Sequence, residues 1–146
     1  MKADAVSFCI GLGRAQASLN LKLDDELGTL HGLGLRDFTL LYALSQAEGG
    51  RLPASDLVQP MGVRLSAVTR QLILLEKTGL VQREVAEESA GRRYVRLRPA
   101  AKRLLGEAVE IAEAVCASAL AALPPETVVL VQAALARIAQ APALKL

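Results

Sequence analysis

The chain has 146 residues, 52% of them apolar but only 3% aromatic, with no Trp and a formal net charge of +2. That length allows one domain with a sizeable core, and the bias toward Ala, Leu and Val favours helices packed on helices. Few aromatic rings argue against recognition of single-stranded nucleic acid, which relies on stacking platforms. No apolar run approaches the roughly 18 residues needed to cross a bilayer, and no basic segment precedes a cleavable apolar one, so a cytoplasmic location without a membrane partner is expected. Two cysteines, Cys9 and Cys116, and the single His31 give neither a disulfide framework nor a metal-ligand spacing. No cofactor is expected, and without a nucleophile-base pair or clustered carboxylates the chain does not read as an enzyme.

In chain order, residues 3 to about 20 read as a helix that is apolar on nearly all sides. Val6, Cys9, Ile10, Gly13 and Ala17 form one stripe, and Phe8, Leu12, Ala15 and Leu19 another. Such a helix must be buried all round, which implies a partner subunit. His31 to Leu35 connects to a helix from Asp37 to about Gln46, ended by Gly49 and Gly50. Pro53 opens a short helix that Pro60 is expected to cut short. After a turn at Gly62, a helix from about Leu65 to Thr78 has the stripe Leu65, Val68, Leu72 and Leu75 as its expected buried face. The other face then presents Arg64, Ser66, Ala67, Arg70, Gln71 and Leu74. Gly79 caps this helix. Val81 to Val85 and Arg93 to Leu97 read as a hairpin with a polar tip from Ala86 to Gly91. Pro99 starts a long helix with an a/d seam of Leu105, Val109, Ala112, Cys116, Ala119 and Leu123. Pro124 and Pro125 stop it, and a last helix carries Val128, Val131, Leu135 and Ile138.

Charge is distributed unevenly over these elements. Residues 64 to 103 hold ten of the seventeen Lys and Arg residues against four Glu, a local +6 that leaves the rest of the chain at −4. A basic window over a helix-turn-helix and a hairpin is the footprint of a polyanion, because each neutralised phosphate releases a condensed counterion. The architecture read from these elements is mainly α with a small β-hairpin wing. A single domain spans 1-146, with a winged helix-turn-helix at about 35-98 and dimerisation helices at about 3-20 and 99-141.

Three runs in this order and spacing, Ser66-Ala67-Val68-Thr69-Arg70, Leu75-Glu76-Lys77-Thr78-Gly79-Leu80-Val81 and Val95-Arg96-Leu97-Arg98-Pro99-Ala100, resemble the MarR family of bacterial transcription regulators. The resemblance implies a homodimer on pseudo-palindromic double-stranded DNA, with one recognition helix per major groove and a wing in the flanking minor groove. It also implies a repressor released by a small aromatic acid or phenol, or by oxidation of a cysteine. Ser66, Thr69 and Arg70 fall on the family's recognition motif. Arg70 can donate in bidentate fashion to guanine or bond a phosphate, and Gln71 is a candidate adenine reader. Arg64 and Ala67 complete the helix face, and Arg92 and Arg93 are the wing candidates for a narrow minor groove. Arg14 and His31 are candidate partners for a ligand carboxylate. Cys9 and Cys116 are the thiols of an alternative redox reading, although both sit on apolar stripes. A winged-helix module for protein interaction is the other alternative. Ile73 and Leu74, which replace a commonly acidic-basic pair in the family, would then form part of a contact patch.

Overall fold

The structure is a computed structural model and describes residues 4-29 and 32-144. The first helix, α1 (Ala5–Gly28), is capped by Asp4, whose carboxylate accepts from the Val6 amide at 3.1 Å. It runs well past residue 20 because Leu23 and Leu27 continue its apolar spacing. Leu27 is wholly buried, so core packing overrides the polar look of Asp24, Asp25 and Glu26. The next helix, α2 (Leu35–Ser45), begins two residues before Asp37. Its leading amide, that of Leu35, donates to the Asp24 carboxylate of α1 at 2.9 Å, a cap supplied from another helix.

After left-handed Gly49 and Gly50, the two-residue strand β1 (Arg51–Leu52) pairs antiparallel with a later strand, an edge not expected from the sequence. A 3-10 turn (Ala54–Leu57) flows into α3 (Val58–Met61). Pro60 does not cut this element short. It lies within the first turn of α3, where a missing N–H forfeits no intrahelical bond, and left-handed Gly62 is what ends the helix.

Helix α4 (Leu65–Lys77), the expected recognition helix, buries Val68, Leu72 and Leu75. Leu65 departs from the expected stripe. Standing at the first helical position, beyond the edge of the packed layer, it remains 48% exposed. Gly79 closes α4 in a Schellman motif, with the Leu80 amide bonded to the Leu75 carbonyl at 2.9 Å and the Gly79 amide to that of Glu76 at 3.1 Å. The wing strands β2 (Val81–Ala86) and β3 (Arg92–Leu97) follow, joined through Glu87–Ser89 and left-handed Ala90 and Gly91. The sheet order is β1-β3-β2.

Only Arg98 separates β3 from α5 (Pro99–Leu120), and α6 (Pro125–Ala139) follows the proline pair at an angle of 108° to α5. Among the described residues, no single helix is long and apolar enough to cross a membrane. The core gathers Leu27, Leu40, Leu41, Leu44, Leu57, Val68, Leu72 and Val81, with Ala101, Leu105 and Ala108 of α5. Each fully buried Leu contributes about 1.5–3 kcal/mol of transfer free energy. The a/d seam of α5 divides in two. Leu105 and Ala112 are buried against this chain, Val109 and Cys116 are half-buried, and Ala119 and Leu123 are exposed. Much apolar surface on α1 and α6 is likewise uncovered, including Val6, Phe8, Ile10, Leu130, Val131, Leu135 and Ile138.

Candidate nucleic-acid interface

Because Val68, Leu72 and Leu75 fix the inward side of α4, helical geometry places Ser66, Arg70, Ile73 and Lys77 opposite them. Ser66, Arg70 and Lys77 are exposed, and Ile73 is on the margin of exposure. Each flank of the helix is pinned. On the wing side, Glu76 accepts from the Arg83 guanidinium at 2.9 and 3.1 Å and from its backbone amide at 3.1 Å. These bonds hold the Glu76 carboxyl below its ordinary pKa. On the α2 side, the Gln71 amide nitrogen donates to Asp37 at 3.0 Å, so the candidate adenine reader is half-buried and already engaged within the chain. Thr69 is exposed and its hydroxyl donates back to the Leu65 carbonyl at 3.0 Å. Ala67 is half-buried. Arg64 is the N-cap residue of α4; its guanidinium, a donor only, makes no side-chain cap bond, and the residue is exposed.

The wing candidates separate by strand alternation. Successive side chains of β3 face opposite sides of the sheet, so Arg92 and Arg93 cannot reach in the same direction. Arg93 shares its side with Val95 and, across the register, with Val85. It lines a cleft of about 430 Å³ with Arg83 and with Thr69 and Leu72 of the recognition helix. Arg92 lies on the other side, its guanidinium 5.7 Å from the Tyr94 ring centroid. That ring also carries Arg51 at 4.3 Å. Arg51 bonds Glu88 at 2.7 Å and Glu84 at 3.3 Å, and Arg96 bonds Glu84 at 3.2 Å and the Gly49 carbonyl at 3.2 Å. The Glu84 carboxyl is held below its ordinary value first by Arg96 and then by Arg51, and that of Glu88 by Arg51.

The basic window therefore divides. Arg83 and Arg96 are spent on internal ion pairs, while Arg64, Arg70, Lys77, Arg92, Arg93, Arg98, Lys102 and Arg103 are exposed and in no ion pair among the described residues. One exposed cation escapes a count along the sequence. Arg36, at the start of α2, lines a groove of about 390 Å³ with Ala67, Arg70, Gln71 and Leu74. Its signal is spatial: it lies far from residue 64 in the chain but beside Arg70 in the fold.

The remaining candidates do not converge. Arg14 is exposed on α1, and His31 lies outside the described residues. Cys9 is exposed rather than covered by its own chain, and Cys116 is half-buried on α5. A separate pocket of about 490 Å³ opens where the end of α2 and the base of the wing meet α5. Leu44, Ala47, Leu97, Leu105 and Val109 supply its apolar walls, and Ser45 and Lys102 its polar groups. Among the described residues, no group of three His, Cys, Asp or Glu could hold a metal.

Comparison with known proteins gives this architecture a context. Residues 31–93 match the model of the MarR family, and no curated protein matches the chain. The fold is similar to that of NadR in complex with 4-hydroxyphenylacetate (TM-score 0.82, 22% identity, 97% of this chain and 99% of that one). It is equally similar to CouR from Rhodococcus jostii RHA1 bound to p-coumaroyl-CoA (TM-score 0.82, 23% identity, 98% and 100%). A MarR family transcriptional regulator from Streptomyces coelicolor in complex with DNA also matches (TM-score 0.82, 20% identity, 96% and 88%).

Proposed function

From the match of residues 31–93 to the MarR family model, we propose that the chain is a MarR-family homodimeric repressor of pseudo-palindromic double-stranded DNA, released by a small aromatic acid. The observation that carries the DNA reading is the separation of cations. Those on the outer face of α4, and Arg92 and Arg93 of the wing, are exposed and in no ion pair among the described residues, whereas Arg83, which pins the helix to the wing, is consumed by Glu76, and Arg96, within the sheet, by Glu84. A rigidly held helix with a free basic face can enter a major groove without first breaking its own bonds. A similar regulator is solved on DNA.

The dimer reading is supported by the uncovered apolar surface of α1, α6 and the far half of α5, which is larger than a lone subunit ordinarily leaves in water. Two such subunits related by a two-fold axis would set their recognition helices about 34 Å apart, one turn of duplex. The effector reading is supported by the pocket at the junction of α2, the wing and α5. It is mainly apolar, with Lys102 at its wall as a partner for a carboxylate. Two similar regulators hold phenolic compounds.

The test is binding of the full chain to duplexes selected from a random pool, measured by fluorescence anisotropy across a salt series and repeated with 4-hydroxyphenylacetate. A steep fall of affinity with salt and release by the acid are expected. A flat salt dependence, or no selected duplex, would overturn the DNA reading. Unchanged binding with this and other aromatic acids would overturn the effector reading alone.

A further inference from the structure

We propose that Leu65 is a specificity residue that reads the 5-methyl group of a thymine in the major groove. The inference rests on the DNA reading above. Sequence periodicity places Leu65 on the buried stripe of α4, yet the structure leaves it 48% exposed, while Val68, Leu72 and Leu75 of that stripe are at most 4% exposed. It is the first residue of the recognition helix, the end that meets base edges when such a helix enters a groove. Isolated exposed leucines are common and need no explanation. This one differs in its surroundings: Arg64 before it and Ser66 after it are exposed, and Arg70, about one and a half turns on, is exposed and in no ion pair among the described residues.

A protein partner for this position would have to offer one small apolar group in an acidic, closely contoured setting. The major groove offers that combination, because thymine is the base that presents a methyl group among phosphates and polar base edges. Covering that methyl with Leu65 removes apolar surface from both. Arg70 lies about 7.5 Å further along the helix axis by helical rise. The two side chains are also about 140° apart around the helix, so they address different base pairs of the groove. Ile73, at 36% exposure, and Leu74, at 63%, are the other large apolar side chains near Arg70, but both stand more than two turns from the leading end, Leu74 on the α2 side of the helix.

The experiment takes a duplex selected from a random pool by the full chain and replaces each thymine singly with deoxyuridine, which deletes only the methyl group. For the wild-type protein, one thymine in each half-site should cost about fourfold in affinity when replaced, the size of one buried methyl. Leu65→Ala should bind equally well to the thymine and deoxyuridine duplexes, whereas Leu65→Met should keep the discrimination. The inference is overturned if no thymine replacement matters, if Leu65→Ala discriminates as wild type does, or if Leu74→Ala rather than Leu65→Ala abolishes the effect. In those cases the DNA reading stands, because the duplex still binds. Failure to select any duplex would overturn both.

Discussion

Arg83 and Arg93 line the same cleft between recognition helix and wing, yet they should differ sharply in what they contribute to DNA binding. The Arg83 guanidinium is fixed to Glu76 by two hydrogen bonds, at 2.9 and 3.1 Å, whereas Arg93 is in no ion pair among the described residues. Each phosphate neutralised contributes a slope of about −0.9 to the dependence of log affinity on log salt concentration. On a pseudo-palindromic site two copies act, so Arg93→Ala should flatten the slope by about 1.8. Between 50 and 200 mM salt, the variant should therefore lose about twelvefold less affinity than wild type. The pair Arg83→Gln with Glu76→Gln removes the internal salt bridge without stranding a charge, and it should leave the slope unchanged. Anisotropy titrations of one selected duplex at four salt concentrations measure both. Equal slopes for the two variants, or a larger change for the double variant, would refute the division of the cations into free and internally spent.

Three further outcomes follow from the packing and the ion pairs. Val131 is 46% exposed on α6, so covering it in a dimer would bury about half of a valine worth some 1.5–3 kcal/mol, once per copy. Val131→Asp should weaken association at least about tenfold by sedimentation, and a dimer as tight as wild type would argue against α6 as the interface. The carboxyls of Glu76, Glu84 and Glu88 are held below their ordinary value by Arg83, Arg96 and Arg51. Their contribution to stability is thus complete above the unfolded glutamate pKa of about 4.3 and is lost as pH falls through the lower folded-state values. A triple Gln variant should show a shallower decline of its urea midpoint through that acidic range, and an identical pH profile would contradict the pairing. Gly106 lies inside α5 with open space where a Cβ would stand. Gly106→Ala should therefore raise unfolding free energy by about 0.8–1 kcal/mol in urea titrations, with no gain counting against an unstrained helix there.

The residues that repeat at helical spacing were legible because one periodic face meets one core. Val68, Leu72 and Leu75 show this on α4, and Gly79 with Leu80 shows how a sequence can announce a helix end through the backbone conformation it permits. Legibility fails where position depends on contacts distant in sequence. Leu65 fits the buried period but projects beyond the layer that would bury it. β1 has only two residues, too short for a pattern, and exists because Arg51 and Leu52 find Arg96 and Val95 across the sheet. The helix from Leu35 starts ahead of its acidic residue because Asp24, on another helix, supplies the cap. The charge window identified the interface region but could not tell Arg83 from Arg93, or find Arg36, because ion pairing and groove sharing are properties of space.

The same distant contacts constrain how an effector could act on the proposed reading. Besides the core it shares with them, two hydrogen bonds tie the winged portion to the helices that flank it. Asp24 of α1 caps α2, and at the wing base Arg98, which leads into α5, donates its amide to the Leu80 carbonyl at 2.9 Å. The apolar pocket lies beside the second tie, bounded by Leu97 of β3 and by Lys102 and Leu105 of α5. Within the winged portion, Gln71 to Asp37 and Arg83 to Glu76 hold α4 to α2 and to the wing. On the proposed reading, a ligand between α2 and α5 would act on the packing of α2 against α5 and on the position of the winged portion, with the internal bonds of the recognition helix left in place. For two winged portions on one duplex, a change in their separation breaks the match to successive grooves. Release would then require no contact between the ligand and any residue that touches DNA.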